Sequence, residues 1–398
     1  MFHVIGGSYR EICISPEIKQ FYGSGGRAAT ALAGLTDVTL HTFVSDMRLD
    51  DARRMAVLGG FQLDLVKSDI DVSFGYIHPL ASSQTDPLRG TFERVGSIHV
   101  DAGNETALVF GMYEGNSSVR AQTIIYDPQD GQMPVSYLES GCVATERLAI
   151  LMNAGEALKT TGAPAVEEAG ALLLAENSAD VVIVKSGPKG ALVFQNGTPE
   201  IRSVPAFNAK AMFGIGSGDM FAAAFAYHWG ERGESPFDAA EKASRAVSHY
   251  VETRNDRLSL DDAEGLTRQA VTVVPGRVYL AGPFFTMAQR WLVEETREQF
   301  LQMGLEVFSP VHEVGRGPAD FVAPADLRGL ETCDRVFAVL DGYDSGTMFE
   351  IGYARKMGIP VYGYGELIAP EDSKMITGSG CRLIHDFATA VYHTAWRL

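Results

Sequence analysis

The feature that most constrains this chain is a run near its C-terminal end in which apolar β-type segments alternate with helical ones. RVYLAGP (277–283), LEVFSP (305–310), RVFAVLDG (335–342) and IPVYGYG (359–365) each read as a strand. Between the first two, Met287, Trp291, Leu292, Thr296, Phe300 and Met303 recur at roughly helical spacing. Between the last two lies MFEIGYARKMG (348–358), a helix closed by Gly358. Strands separated by helices cannot pair as hairpins. They need crossovers, and so predict a parallel, doubly wound sheet. The sequence ahead of this run is α/β as well. TIIYDP (123–128), LAILMN (148–153) and VVIVKSG (181–187) read as buried strands, and ALVFQNG (191–197) as a strand closed by an Asn196-Gly197 turn. A polar stretch, Arg254 to Gln269, reads as a surface helix or linker, which gives two domains, 1–270 and 275–398.

Charge narrows the function classes. Of 398 residues, 50 are acidic and 33 basic, a net charge of −17. Such a surface repels phosphate backbones and anionic lipid, so neither nucleic acid nor a membrane is an expected partner. No apolar run has the length of a membrane span. The opening MFHVIGGSYREI lacks the charge and apolar pattern of a secretion signal, which leads us to expect a cytoplasmic protein. Cys13, Cys142, Cys333 and Cys381 form no C-x-x-C pair and no zinc spacing, and read as buried small hydrophobes in a reducing compartment.

In an open parallel sheet, ligands bind beyond the carboxyl ends of the strands. Three segments should meet there: Ala281-Gly282-Pro283-Phe284-Phe285, the loop around Asp326, and Asp341 to Glu350. If Thr347 is an N-cap, Glu350 lies in the first helical turn, where the helix dipole favours an ionised carboxylate able to attack an electrophilic carbon. The same Thr-x-x-Glu spacing matches a capping box, in which Glu350 only caps. Asp326, Asp341 and Asp344 likewise read either as site groups or as cap and turn aspartates. Phe284 and Phe285 either stack on a ligand or fill the core.

The motifs VYLAGPFF (278–285), ADLRGLETCD (325–334) and DSGTMFEIGYA (344–354) resemble the nucleoside 2-deoxyribosyltransferase family over about residues 276–370. The resemblance implies a flavodoxin- or Rossmann-like domain that needs no cofactor. It implies Glu350 as nucleophile, Asp326 assisting at the base, Asp344 holding sugar hydroxyls and Tyr279 beside the nucleophile, with Gly282, Phe284, Phe285, Ser345 and Gly346 around the substrate. It also implies a homo-oligomer with sites completed across subunits. Relatives that hydrolyse nucleoside 5′-monophosphates tend to carry a serine where this chain has Asp344, and a carboxylate there would repel phosphate. Arg316 and Arg328 remain as phosphate contacts or as plain surface arginines.

In the first domain, Gly214-Ile215-Gly216-Ser217-Gly218-Asp219 precedes a small-residue helix, the arrangement of an anion site or of close helix packing. With GSGGRAATALA (23–33), YDP (126–128), NAGE (153–156) and VKSGPKGA (184–191), it resembles the ribokinase-like (PfkB) kinases over about residues 1–255. That implies a ribokinase-like α/β sandwich using ATP and Mg2+. Asp219 would be the catalytic base, Gly216, Ser217 and Gly218 the anion hole, and Asn153 and Glu156 organisers of Mg2+ and phosphate. Lys185 to Gly187 would flank ATP, and Gly25, Gly26 and Glu11 would meet the sugar. The family's sugar aspartate is Glu11 here, its asparagine after the double glycine is Thr30, and the acidic residue before the glycine loop is Phe213. The whole reads as a nucleoside salvage enzyme acting on nucleoside, base and sugar. The alternatives are a nucleoside 5′-monophosphate N-glycosidase and a non-catalytic sensor with a degenerate kinase domain.

Overall fold

A computed structural model describes residues 1–129, 134–258 and 267–398. The chain divides into two compact units: Met1–Ala209 with Phe213–Ala270, and Val271–Leu398 with Lys210–Met212.

The first unit is built on a ten-stranded sheet. In chain order its strands are β1 (Phe2–Ile5), β4 (Val38–Ser45), β5 (Gln62–Ser68), β8 (Ser97–Asp101), β9 (Thr106–Phe110), β10 (Asn116–Asp127), β11 (Val143–Asn153), β12 (Val181–Lys185), β13 (Ala191–Gln195) and β14 (Arg202–Val204). They run β14-β13-β12-β11-β10-β9-β1-β4-β5, with β8 on β10. Pairing is parallel except at β12–β13 and β13–β14. Leu148 to Met152 and Val181 to Val184 are buried at every position, as expected of parallel strands covered on both faces. A smaller sheet comprises β2 (Arg10–Cys13), β3 (Ile18–Phe21), β6 (Ser73–Tyr76) and β7 (Gln84–Asp86), in the order β3-β2-β6-β7. Helix α1 (Gly23–Leu32) begins where Gly25 lies so close to Gly6 that a Cβ would sit 2.6 Å from the Gly6 carbonyl oxygen. Helix α2 (Ala154–Thr161) and helix α3 (Ser217–Phe225) follow β11 and the glycine loop.

The second unit is a five-stranded parallel sheet: β15 (Arg277–Ala281), β16 (Glu306–Phe308), β17 (Arg335–Val339), β18 (Val361–Tyr364) and β19 (Arg382–Ile384). The order is β16-β15-β17-β18-β19. Counted within the unit this is 2-1-3-4-5, with the topological switch between the first and third strands. The helices are α4 (Met287–Gln302), α5 (Ala319–Glu331), α6 (Ser345–Lys356) and α7 (Phe387–Trp396). Tyr279, Ala281, Phe308, Val336, Ala338, Ile351 and Ala354 share one core. Arg335 is wholly buried. Its guanidinium donates to Thr394 O and Ala395 O at 3.1 Å each, to Val274 O at 2.7 Å and to Pro275 O at 3.2 Å, and pairs with Asp334 at 2.5 Å. It thereby adds donors to the carbonyls at the end of α7, where Thr394 O also accepts from Arg397 N at 3.3 Å and Ala395 O from Val274 N at 3.0 Å.

Three readings need correcting. Helix α4 buries Val293, Thr296 and Phe300, while Met287 and Trp291 stay exposed. Thr286 caps it reciprocally with Gln289, so the helix begins with its apolar-looking first turn in solvent. The Arg254–Gln269 stretch is no free linker in its described part: Asp256 lies 3.5 Å from Arg27, Arg257 donates to Leu58 O at 2.8 Å, and Arg268 pairs with Glu252 at 2.6 Å. Residues 259–266 of that stretch lie outside the described ones. Finally, Asp326 sits inside α5 rather than in a loop.

Candidate active sites

In the second unit the site gathers at the carboxyl ends of β15 and β17. Tyr279 belongs to β15, with its ring stacked on Phe308 at 5.5 Å. Its hydroxyl donates to Glu350 Oε1 at 2.6 Å. Gly282 follows the strand, and a Cβ there would meet the Val339 side chain at 3.0 Å, so the glycine lets the two strand ends pack together. Phe284 and Phe285 lie ring to ring at 5.5 Å, Phe284 half-buried and Phe285 exposed.

Helix α6 starts differently from the sequence expectation. Its N-cap is Asp344, whose Oδ2 accepts from Thr347 N at 2.8 Å and Thr347 Oγ1 at 3.0 Å. Thr347 is therefore inside the helix, and Ser345 and Gly346 occupy its first two positions. Two consequences follow for Glu350. It lies in the second turn, beyond the reach of the strongest part of the helix dipole. It is also not the partner of a Thr347 capping box, because Thr347 does not cap. Its carboxyl is pushed up to about 7, by burial first and then by the neighbouring charges of Asp326 and Asp344, while the Tyr279 hydrogen bond pulls the other way. Burial raises Asp326 also, and its Oδ1 is buried without a hydrogen-bond partner. Asp341 is a turn residue that accepts from Glu366 N at 3.0 Å and Leu367 N at 2.9 Å.

In the first unit, Gly216 adopts φ +82° and caps α3, placing Asp219 in the first turn. The opening N–H groups of such a helix have no partner within it. One buried arginine ties the carboxylates of this site together. Arg27, fully buried on α1, donates to Asp219 Oδ2 at 2.6 Å and to Glu11 at 2.5 and 3.2 Å. A Cβ on Gly216 would fall 2.3 Å from Arg27 Nε, so the guanidinium occupies the space that glycine leaves. Gln129 donates to the other oxygen of Asp219 at 2.6 Å. Burial raises the pKa of Asp219, and the Arg27 charge opposes that.

Lys185 ends β12 and pairs with buried Asp127 at 2.5 Å. Burial works against its ammonium, but the charges of Asp127, Glu156 and Asp219 raise it overall. Asn153 and Glu156 form a reciprocal capping box on α2, with both bonds at 2.9 Å. Gly187 opens a short turn at φ +53°. Gly25 packs on Gly6, and a Cβ at Gly26 would meet Met55 Sδ at 2.5 Å. The chain that borders the cavity is instead Gly23 and Ser24. Thr30 turns its hydroxyl to Gly26 O at 2.8 Å, within its own helix. Phe213 is buried with Cys13 and Ile215.

The cavity beside Asp219 measures about 540 Å³. Glu11, Gly216, Asp219 and Gln129 stand in its wall, and Tyr9, Phe74, Tyr113 and Arg89 also line it. Sequence reasoning missed Arg27 and Gln129. Arg27 stands inside the quoted GSGGR motif, and Gln129 directly follows YDP, so proximity to motif positions was the available signal.

Comparison with known proteins agrees with this division. Residues 278–378 match the family profile of nucleoside 2-deoxyribosyltransferase, and residues 135–263 that of the pfkB family carbohydrate kinases. A curated relative, an uncharacterised protein of Ureaplasma parvum serovar 3, is 31% identical over 91 residues, 19% of this chain and 58% of that protein. The chain thus spans less than two thirds of that relative's length. Among solved structures, adenosine kinase from Sinorhizobium meliloti is similar at 15% identity and a TM-score of 0.50, covering 67% of this chain and 98% of that one. Ribokinase from Giardia lamblia is similar at 13% identity and a TM-score of 0.48, covering 63% and 93%. At 15% identity, the adenosine kinase likeness speaks for the fold. The chain thus carries one region that matches the pfkB carbohydrate-kinase profile, within a ribokinase-like fold, and another that matches the nucleoside 2-deoxyribosyltransferase profile.

Proposed function

We propose that the second unit breaks the N-glycosidic bond of a nucleoside and passes the glycosyl group to a second base or to water through an ester on Glu350. The observation that carries this reading is a half-buried carboxyl, pushed up to about 7 and held by the Tyr279 hydroxyl at 2.6 Å, at the switch point of a parallel sheet. A Glu350 oxygen bonds to C1′ as the bond to the base breaks, and the electron pair leaves with the base nitrogen. Asp326, whose carboxyl is pushed up by burial, gives that nitrogen its proton. The ester is then opened by an incoming base or by water, whose proton returns to Asp326. Tyr279 stabilises the ionised form of Glu350 before attack.

The charge around the site favours a nucleoside over its 5′-monophosphate. Asp326 and Asp344 both act on Glu350, and a phosphate dianion would add to that repulsion. Phe285, Phe321 and Phe349 are 66%, 58% and 62% exposed. They come from the segments that carry Phe284, Asp326 and Glu350, which fits a second copy covering the site and excluding water.

The first unit, in the same reading, transfers phosphate from magnesium-ATP to a sugar or nucleoside hydroxyl, with Asp219 as base over the Gly216–Gly218 loop. Asp127 Oδ1 is buried without a partner, and three carboxylates act on one Lys185 ammonium. Among the described residues no group of three or more His, Cys, Asp or Glu could hold a metal by itself, so a magnesium ion would come with the donor's phosphates, with Asn153 and Glu156 organising it. When bound, the ion supplies charge neutralisation on the donor's phosphates. One observation favours binding without turnover: both oxygens of Asp219 already accept from Arg27 and Gln129.

The test is a product screen with a nucleoside and a second free base, with and without ATP. Glu350→Ala should abolish both new nucleoside and free sugar, and Asp219→Asn should abolish only phosphorylated product. Unchanged turnover in Glu350→Ala overturns the ester. Phosphorylated product that survives Asp219→Asn, or none in the intact protein, overturns the kinase reading.

A further inference from the structure

The cavity of the first unit contains more than a sugar needs. Tyr9, Phe74 and Tyr113 form a continuous aromatic wall, with Tyr9 and Phe74 centroids 5.1 Å apart and Phe74 and Tyr113 5.9 Å apart. The Arg89 guanidinium lies 4.9 Å from the centre of the Tyr113 ring and also lines the cavity. A sugar is recognised by donors and acceptors around its rim, yet here the polar ends of the wall are used elsewhere. The Tyr9 hydroxyl donates to buried Glu114 at 2.6 Å and accepts from Tyr113 N at 2.9 Å. The Tyr113 hydroxyl meets Thr85 Oγ1 at 2.7 Å and Pro87 O at 3.2 Å. These anchors fix the rings in the cavity wall, where Phe74 meets Tyr113 edge to face and the Arg89 guanidinium lies over Tyr113. Planar bases bind such surfaces, stacking on aromatic rings and on arginine planes.

Size agrees. A volume of about 540 Å³ lies within the range of about 300–1,000 Å³ that holds ligands of nucleoside size and above. A free pentose would leave much of it to water. Glu11 and Asp219 border the same cavity and offer carboxylates for the sugar hydroxyls.

We infer that the ligand of this cavity is a nucleoside, its base against Tyr9, Phe74, Tyr113 and Arg89 and its sugar toward Glu11 and Asp219. The inference deepens the proposed function, since it rests on Asp219 marking the sugar end. It makes both units readers of one ligand class, and it sets phosphorylation on an intact nucleoside rather than on a released pentose.

The experiment is equilibrium dialysis of the full chain carrying Glu350→Ala, with labelled adenosine, guanosine, cytidine, uridine, thymidine, ribose and deoxyribose. The Phe74→Ala variant in that background should lose at least about tenfold in affinity for one or more nucleosides at a single site. Phe74→Leu, which keeps apolar bulk and guards against a folding defect, should lose affinity in the same direction. Binding of ribose and deoxyribose should stay weak in all three proteins. The absence of any Phe74-dependent nucleoside binding overturns the inference, as does ribose binding as tightly as the best nucleoside. The kinase reading is judged separately. A nucleoside bound but never phosphorylated removes that reading and leaves this one, and a phosphorylated pentose with no Phe74-dependent nucleoside binding does the reverse.

Discussion

Replacing Glu350 by Gln should make the protein more stable at alkaline pH while stopping glycosyl transfer. The carboxyl's acidity lies at about 7, above its ordinary 4.5, because burial penalises the charge. Below pH 4.5 both folded and unfolded chains hold the proton, and this group costs nothing. As pH rises through 4.5 the unfolded chain ionises while the folded one does not, so stability falls until the folded group ionises near 7. Above that the full cost stands, about 3 kcal/mol for a shift of this size. Between pH 5 and pH 8 the intact protein should therefore lose about 2.5 kcal/mol that the Gln variant does not lose. Gln keeps an oxygen to accept from Tyr279, so the hydrogen bond at 2.6 Å is weakened rather than orphaned. Urea unfolding of both proteins at the two pH values, followed by tryptophan fluorescence, isolates the effect, because contributions from the first unit are common to both. A variant whose stability difference from the parent is the same at pH 5 and pH 8 would refute a carboxyl raised by desolvation at this position.

Tyr279→Phe keeps the ring on Phe308 but removes the hydrogen bond that lowers the pKa of Glu350. The acid limb of the transfer rate against pH should move up by about one unit or more, and an unmoved limb would dissociate the two groups. Arg27→Met leaves Glu11 and Asp219 without their shared buried cation, and should cost the first unit about 3–5 kcal/mol in urea unfolding. A loss below about 1 kcal/mol would mean the network is dispensable. Gly216→Ala meets both a left-handed backbone and the Arg27 guanidinium, so it should cost about 2 kcal/mol or more, against near-neutrality for Gly34→Ala, which faces open space.

Periodicity exposed most of the second unit, because four of its strands are apolar runs with helices between them. The fifth, Arg382–Ile384, is too short and too polar on its exposed side to register. The smaller sheet of the first unit escaped for the same reason: β2, β3, β6 and β7 are short and only partly buried, so they carry no sustained apolar pattern. The start of α6 shows how local codes compete. DSGT offers both Asp344 and Thr347 as caps, and the bond from Thr347 N to Asp344 decides it one turn earlier than the Thr-x-x-Glu spacing suggests. Glu350 and Asp326 were legible as residues worth testing, but the cause of the Glu350 shift was not, since burial depends on what packs around a helix. Arg27 joins residues 11, 219 and 256, and the aromatic wall joins 9, 74 and 113. Contacts of that span are a product of topology and leave no mark in any short window.

The clasp at Arg335 bears on how the second unit comes apart. One guanidinium ties the segment that enters the first strand, at Val274 and Pro275, to the final carbonyls of the last helix. Val274 N also donates to Ala395 O at 3.0 Å, so fraying of the entering segment takes a donor from the helix end and loosens the guanidinium the two share. A protease nick near residue 274 would accordingly be felt first as exchange at Thr394 and Ala395, some hundred and twenty positions along the chain.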